Sequence, residues 1–278
     1  MDNYRGLKSL HVSIETGVAR VTIDNGPINL IDLTLFTELA RLAPLLANDD
    51  AVRVVILRSA NPEFFIAHFD VTLIQMLPRD AGTPNEINSY HAMCEQFRVM
   101  PKPTIALIEG RVGGGGSELA LSCDMRFAAI GRAIFSQPEV ALGILPGGSG
   151  TVRLSRLAGR SRAMEIILGC ADFDAVTAAE YGWVNRALPE KDIEQFVRNL
   201  ANRMSAMPVH AVRAAKAAVL RAEGDLADDL NAEAGAFNRT LANDDAQLLL
   251  QKFLRLGGQT PEGERRLGDL VELLGRPG

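Results

Sequence analysis

Glu109-Gly110-Arg111-Val112-Gly113-Gly114-Gly115-Gly116-Ser117-Glu118-Leu119-Ala120-Leu121-Ser122-Cys123-Asp124 joins an apolar, strand-like run, Pro103 to Glu109, to a segment of helical character, Glu118 to Cys123. Four consecutive glycines at such a junction expose backbone N–H groups with no side chain in the way, at the positive end of a helix dipole. An electronegative group is expected to dock there. A phosphate-binding loop needs Gly-Lys-Ser/Thr after its glycines, whereas Gly116 precedes Ser117-Glu118, whose carboxylate repels phosphate. A dinucleotide loop needs Gly-x-Gly-x-x-Gly near the first strand of a βαβ unit, and these glycines lie too late in the chain. A second cluster, Gly147-Gly148-Ser149-Gly150-Thr151, misses the Gly-x-Ser-x-Gly of a hydrolase elbow because its last glycine comes one place early. What is left is a set of amides gripping a partially charged carbonyl oxygen, with Glu118 in the first helical turn beside it as acid or base. Tight packing of strand on helix, with Glu118 simply favouring the dipole, accounts for the same residues, and the glycines alone do not choose between the two.

Upstream, Leu10 to Glu15 and Val18 to Asp24 flank Thr16-Gly17 in the pattern of a hairpin. After the potential cap Asp32, Leu33, Phe36, Leu39, Leu42, Leu45 and Leu46 recur at helical spacing. Ala51 to Arg58 reads as a buried strand, Phe64 to Asp70 as extended chain, and Arg79 to Asn85 as a surface loop before a helix through Arg98. Met125 to Ile130 returns to strand. This alternation predicts a parallel sheet covered by helices. After Pro189 the chain becomes helical, with Ile193, Phe196, Val197 and Leu200 on one face and an Ala-rich helix from Val209 to Arg221. We therefore divide it into a core, residues 1–200, and a C-terminal helical region, residues 201–278. Leu248, Leu249, Leu250, Phe253 and Leu254 give that region apolar surface to pack on the core or on neighbouring subunits.

The 278 residues are 47% apolar, enough for a substantial core, which excludes disorder. With 29 basic against 34 acidic residues the formal charge is −5, and no basic stripe is visible, so neither nucleic acid nor anionic lipid is the expected partner. The start, Met1-Asp2-Asn3-Tyr4-Arg5, does not read as a secretory signal, and no apolar run is long enough for a membrane span. Cys94, Cys123 and Cys170 are widely separated and read as buried reduced thiols of a cytoplasmic protein. His11, His68, His91 and His210 are scattered, and no metal site is expected.

The glycine stretch, followed by Phe135-Ser136-Gln137-Pro138-Glu139 and Leu142-Gly143-Ile144-Leu145-Pro146-Gly147-Gly148, resembles the enoyl-CoA hydratase/isomerase (crotonase) family. The likeness extends upstream through Val54-Val55-Ile56-Leu57 and Phe65 to Asp70, and downstream through Arg153-Leu154, Gly159-Arg160 and Gly182-Trp183-Val184-Asn185, covering about two thirds of the chain in order. It implies an α/β crotonase-type spiral of β-β-α units with a C-terminal helical region that trimerises, two trimers stacking into a hexamer. The implied substrate is an acyl-CoA thioester, with no other cofactor. By the same resemblance, the backbone N–H groups of Phe69 and Gly115 form an oxyanion hole, and Ala67, His68, Phe69, Asp70 and Gly115 bind the CoA thioester. Glu118 orients or activates a water, and Glu139 donates the proton to the α-carbon.

Ala67-His68-Phe69-Asp70 departs from the family's Ala-Gly-Ala/Gly-Asp. The Phe69 ring is expected to narrow the acyl slot. His68 replaces a glycine, with strain if that position needs positive φ, and is expected to sit partly exposed beside the nucleotide; an added acid/base role is the sharper alternative. Beyond Phe253-Leu254-Arg255 the chain continues as a polar, glycine-containing extension to Gly278, and Lys252 and Arg255 are the candidates to meet the CoA phosphates. The two glutamates favour hydration over isomerisation. Other acyl-CoA lyase or hydrolase activities, and a non-catalytic CoA- or RNA-binding role, are the alternatives.

Overall fold

The structure, a computed structural model, describes residues 4–79 and 82–275; the first three residues, positions 80 and 81 of the predicted Arg79–Asn85 loop, and the last three residues lie outside it. Strands β1 (Leu10–Glu15) and β2 (Val18–Ile23) form the predicted hairpin. Thr16 and Gly17 both take positive φ, the tight turn whose twist matches paired strands. Helix α1 (Leu33–Asn48) follows, with the Asp32 carboxylate accepting from the Leu35 N–H as its cap and Leu35, Leu39, Leu42 and Leu46 buried at helical spacing.

The chain then repeats one pattern three times: a strand in a first sheet, a short strand in a second, then helix. The units are β3 (Val54–Ser59), β4 (Phe64–Ile66), α2 (Val71–Gln75) and α3 (Ser89–Val99); then β5 (Thr104–Ile108), β6 (Arg111–Gly113) and α4 (Gly114–Leu121); then β7 (Met125–Ile130), β8 (Ile134–Ser136), a 3-10 turn (Glu139–Leu142), α5 (Gly150–Ala158) and α6 (Arg160–Gly169). After β9 (Phe173–Asp174) and α7 (Ala175–Tyr181), β10 (Arg186–Pro189) completes the larger sheet, ordered β1-β2-β3-β5-β7-β10 and parallel except at β1–β2. The smaller sheet runs β4-β6-β8-β9.

Two local expectations are corrected. Helix α4 begins at Gly114, so the glycines form its first turn and Glu118 sits one turn deeper than expected. Close packing explains why: a Cβ on Gly116 would lie 2.6 Å from the Ile66 carbonyl oxygen and side chain, and Gly114 holds φ +44°. The second correction concerns the C-terminus. Helix α8 (Glu190–Ser205) lays Ile193, Val197 and Ala201 on the larger sheet. After α9 (Val209–Glu223), helices α10 (Ala227–Leu241) and α11 (Asp244–Arg255) pack against α5, α2 and the 3-10 turn. The expected polar extension instead folds into α12 (Pro261–Arg265) and α13 (Leu267–Leu274). It buries Leu267, Leu270 and Leu274 against Leu142, Ile144 and Phe253, because those leucines recur on one helical face.

Candidate active site

A cavity of about 260 Å³ lies where the glycine-led α4, the loop before α2, the 3-10 turn and the C-terminal helices meet. Glu118, Glu139, Phe69, Gly115 and His68 all line it, together with Tyr90, Gly148, Leu145 and Phe237. Ala67 and Asp70 are not in its wall: Ala67 is buried behind, and Asp70 caps α2 by accepting from the Thr72 N–H.

The backbone around Phe69 is tied so that its amide points away from Ile31. A single bridge to Ile31 uses the Ile31 N–H donating to His68 O at 2.9 Å and the Asp70 N–H donating to Ile31 O at 3.1 Å. A trans peptide points its N–H opposite to its C=O, so with His68 O turned toward Ile31, the Phe69 N–H points away from it. Gly115, second residue of α4, has an N–H with no intrahelical acceptor. The two backbones lie close: a Cβ on Gly115 would stand 3.3 Å from the Phe69 nitrogen. Tyr90 donates its hydroxyl to Gly115 O at 2.7 Å and packs edge-on to the Phe69 ring.

Glu118 is held by the second glycine cluster. Its Oε1 accepts from the N–H groups of Gly148 and Gly150, both at 2.8 Å. The intervening amide of Ser149 donates instead to Oε1 of Glu233 at 2.6 Å, and the amides of Thr151 and Val152 donate to its Oε2 at 2.9 and 3.2 Å. Two buried glutamates thus divide the row of amides at the start of α5, a site that favours negative charge. Ser149 pays for its place in the row with a φ of 95°, uncommon for a residue with a side chain.

Burial, then repulsion from Glu139 and Glu233, pushes the Glu118 carboxyl well above the usual range, against the pull of the two amides. Burial pushes Glu139 up to about 7, even with the His68 charge pulling the other way. Two buried carboxyls that repel one another resist being ionised together, the condition for pairing an acid with a base.

His68 differs from expectation. It is 5% exposed rather than partly exposed, does not take positive φ, and contacts Glu264 of α12. Sequence reasoning also missed Tyr90, Glu233, Gln259 and Glu264. Of these, Glu233 carried no signal at all: it is a lone glutamate 84 residues from the Ser149 amide it binds. Lys252 donates to Leu274 O at 3.2 Å.

A family model described as enoyl-CoA hydratase/isomerase matches residues 13–257. The short-chain-enoyl-CoA hydratase of Clostridium acetobutylicum is 30% identical over 89% of this chain and 95% of its own length. The crotonyl-CoA hydratase of Syntrophomonas wolfei is 32% identical over 82% of this chain and 87% of its own. A crystal structure provisionally named an enoyl-CoA hydratase, from Streptomyces avermitilis, superposes with a TM-score of 0.90 at 40% identity, covering 98% of this chain and all of that one.

Proposed function

Since this chain belongs to the enoyl-CoA hydratase/isomerase family and is an enzyme of crotonase-type fold, we propose that it adds water across the 2,3 double bond of an enoyl-CoA thioester. The observation that carries the reading is the meeting of two glutamates and two candidate backbone donors, Phe69 and Gly115, in one cavity. The thioester oxygen accepts from both N–H groups, and its charge grows as the α-carbon becomes enolate-like, so donors fixed in a dry site favour the transition state over the substrate. Glu118 takes a proton from water as the water oxygen attacks the β-carbon. Glu139 gives its proton to the α-carbon. One proton is taken and one delivered with no change in oxidation state, so the reaction needs no cofactor besides the CoA carried by the substrate. The Ala67–Asp70 loop runs along the thioester, and the Phe69 ring narrows the slot for the acyl chain.

An isomerase works with a single carboxylate; two in one cavity favour hydration. Crotonyl-CoA should therefore lose its conjugated absorbance on incubation with the enzyme. Conversion of a 3-enoyl-CoA to the conjugated isomer, with no turnover of any 2-enoyl-CoA, would replace hydration by isomerisation. Retention of RNA on a filter at physiological salt, without thioester turnover, would overturn the enzymatic reading of the site altogether.

The chain acts, on this reading, as a cytoplasmic trimer or a pair of stacked trimers. Among the described residues no helix is long and apolar enough to cross a membrane, and the three cysteines are buried and free. Helix α9 has no buried residue and leaves Val209 and Val219 exposed, a face available to a second copy. Analytical ultracentrifugation at micromolar concentration should give three or six copies; a monomer rejects this assembly.

A further inference from the structure

His68 is bonded at both ring nitrogens. Nδ1 lies 2.7 Å from Phe69 O, and Nε2 lies 3.0 Å from Oε1 of Glu264. A carbonyl oxygen only accepts. Oε1 of Glu264 already accepts from the Gln259 N–H at 2.8 Å, so it too is an acceptor. A neutral imidazole has one donor, and two acceptors on opposite sides call for two, a demand that only the doubly protonated cation meets. The side chains of His68 and Glu264 are 7% and 0% exposed, which makes the contact a buried ion pair.

The same short C-terminal stretch holds the rest of the loop. The Gln259 carboxamide accepts from the Val71 N–H at 2.5 Å and donates to Oδ1 of Asp70 at 3.0 Å. Three of the four residues from His68 to Val71 are therefore held directly by Gln259 or Glu264, the fourth, Phe69, meets the His68 ring through its carbonyl, and the peptide carrying the Phe69 N–H lies at the start of this stretch. On the other side, a Cβ on Gly114 would lie 3.2 Å from the His68 Cβ and 2.7 Å from Oε1 of Glu139, so His68 and Glu139 flank the same glycine. The groups facing the ring are Glu264 from α12, Glu139 from the 3-10 turn and the Phe253 ring from α11, edge-on at 5.8 Å; Arg111 of β6 acts on Glu264.

We propose that Glu264 holds His68 as a buried imidazolium, and that this pair positions the Phe69 N–H and sets a positive charge beside Glu139. His68 is then a positioning residue rather than an acid/base, since neither nitrogen is open to substrate. Burial opposes its charge, but the carboxylate of Glu264, the Phe69 carbonyl and Glu139 together raise its pKa to about 9. The charge is thus present throughout the neutral range and is lost as pH rises through about 9. The effect on Glu139 rests on the hydratase reading; the charge state of the ring does not.

The experiment has two arms. In the first, 15N chemical shifts of ring-labelled histidine are followed with pH, His68 being assigned by its absence from His68→Gln. Both ring nitrogens of His68 should stay protonated beyond pH 8 in the native chain, and the ring should lose a proton below pH 7 in Glu264→Gln. A singly protonated His68 at pH 7 in the native chain overturns the proposal, whether or not the protein hydrates anything. In the second arm, kcat/KM on crotonyl-CoA is measured against pH for the native enzyme, His68→Gln and Glu264→Gln. Each variant should lose about tenfold in kcat with KM within threefold, and its alkaline limb should move to higher pH, because a missing cation leaves Glu139 protonated longer. A loss of activity with the limb unmoved assigns the pair a purely structural role and overturns the proposal, while leaving hydration intact. Should a single variant fail to fold, the double variant His68→Gln/Glu264→Gln leaves no lone buried charge and is expected to fold and show the same displaced limb; a native-like limb there also overturns it.

Discussion

Replacing Glu139 by glutamine is expected to lower kcat on a 2-enoyl-CoA by about a hundredfold to ten-thousandfold while KM stays within a few-fold. Glutamine keeps the shape and the polarity but has no proton to give the α-carbon. KM is expected to be spared because the proposed grip on the thioester is the backbone of Phe69 and Gly115, which the substitution leaves alone. The same variant should gain stability at high pH. Burial holds Glu139 at about 7, above the roughly 4.3 of an unfolded glutamate. Between these values the folded protein keeps a proton that the unfolded chain has lost, so native stability falls as pH rises through the window. Glutamine removes that dependence. The Tm of Glu139→Gln should match that of the native protein near pH 4 and exceed it by several degrees at pH 8, from a difference of up to about 3 kcal/mol. Near-native turnover rejects the assigned role, and a Tm difference that does not change with pH rejects the buried proton.

How far such a site can be read from sequence depends on the distance over which its contacts form. The β1–β2 hairpin and α1 were legible because turn residues and helical spacing are local properties. In the smaller sheet β4 lies within the stretch read as extended, Phe64 to Asp70, whereas β6 and β8 were not legible, since each is three residues long, too short for a period to register. The start of α4 goes against propensity: glycine is a poor helix former, and Gly116 is a glycine because Ile66 leaves no room for a Cβ there. Glu118 and Glu139 stood out through the motifs around them. Glu264 did not, because its partner His68 lies 196 residues away, and an unpartnered histidine in a polar loop reads as exposed. The C-terminal extension packs against expectation for a related reason: glycines and charged residues together make up most of it, while three leucines on one face decide where it packs.

Gly148→Ala is expected to cost about a hundredfold in kcat without unfolding the protein, the scale of a displacement near 1 Å in a catalytic group. The Gly148 N–H donates to Oε1 of Glu118, and a Cβ added there would stand 2.4 Å from Oε2 of Glu118 and 2.5 Å from Cε1 of Tyr90. One of the two side chains must move. If the carboxylate moves, it leaves the amides of Gly148 and Gly150 that favour its charged form, and the water it is proposed to activate loses its base. If the tyrosine moves, its bond to Gly115 O is disturbed, and with it the peptide next to the proposed thioester donor. Backbone adjustment is a poor escape, because the neighbouring Ser149 is already at a φ of 95° and tied to Glu233. Both routes reach the chemistry, so the loss should fall mainly on kcat. Gly169→Ala serves as the control: a Cβ there meets nothing within 4 Å at an ordinary φ, and kcat should not change. A folded Gly148→Ala enzyme, verified by circular dichroism, that turns over within threefold of the native rate would mean that catalysis does not depend on Glu118 being held against this row of amides.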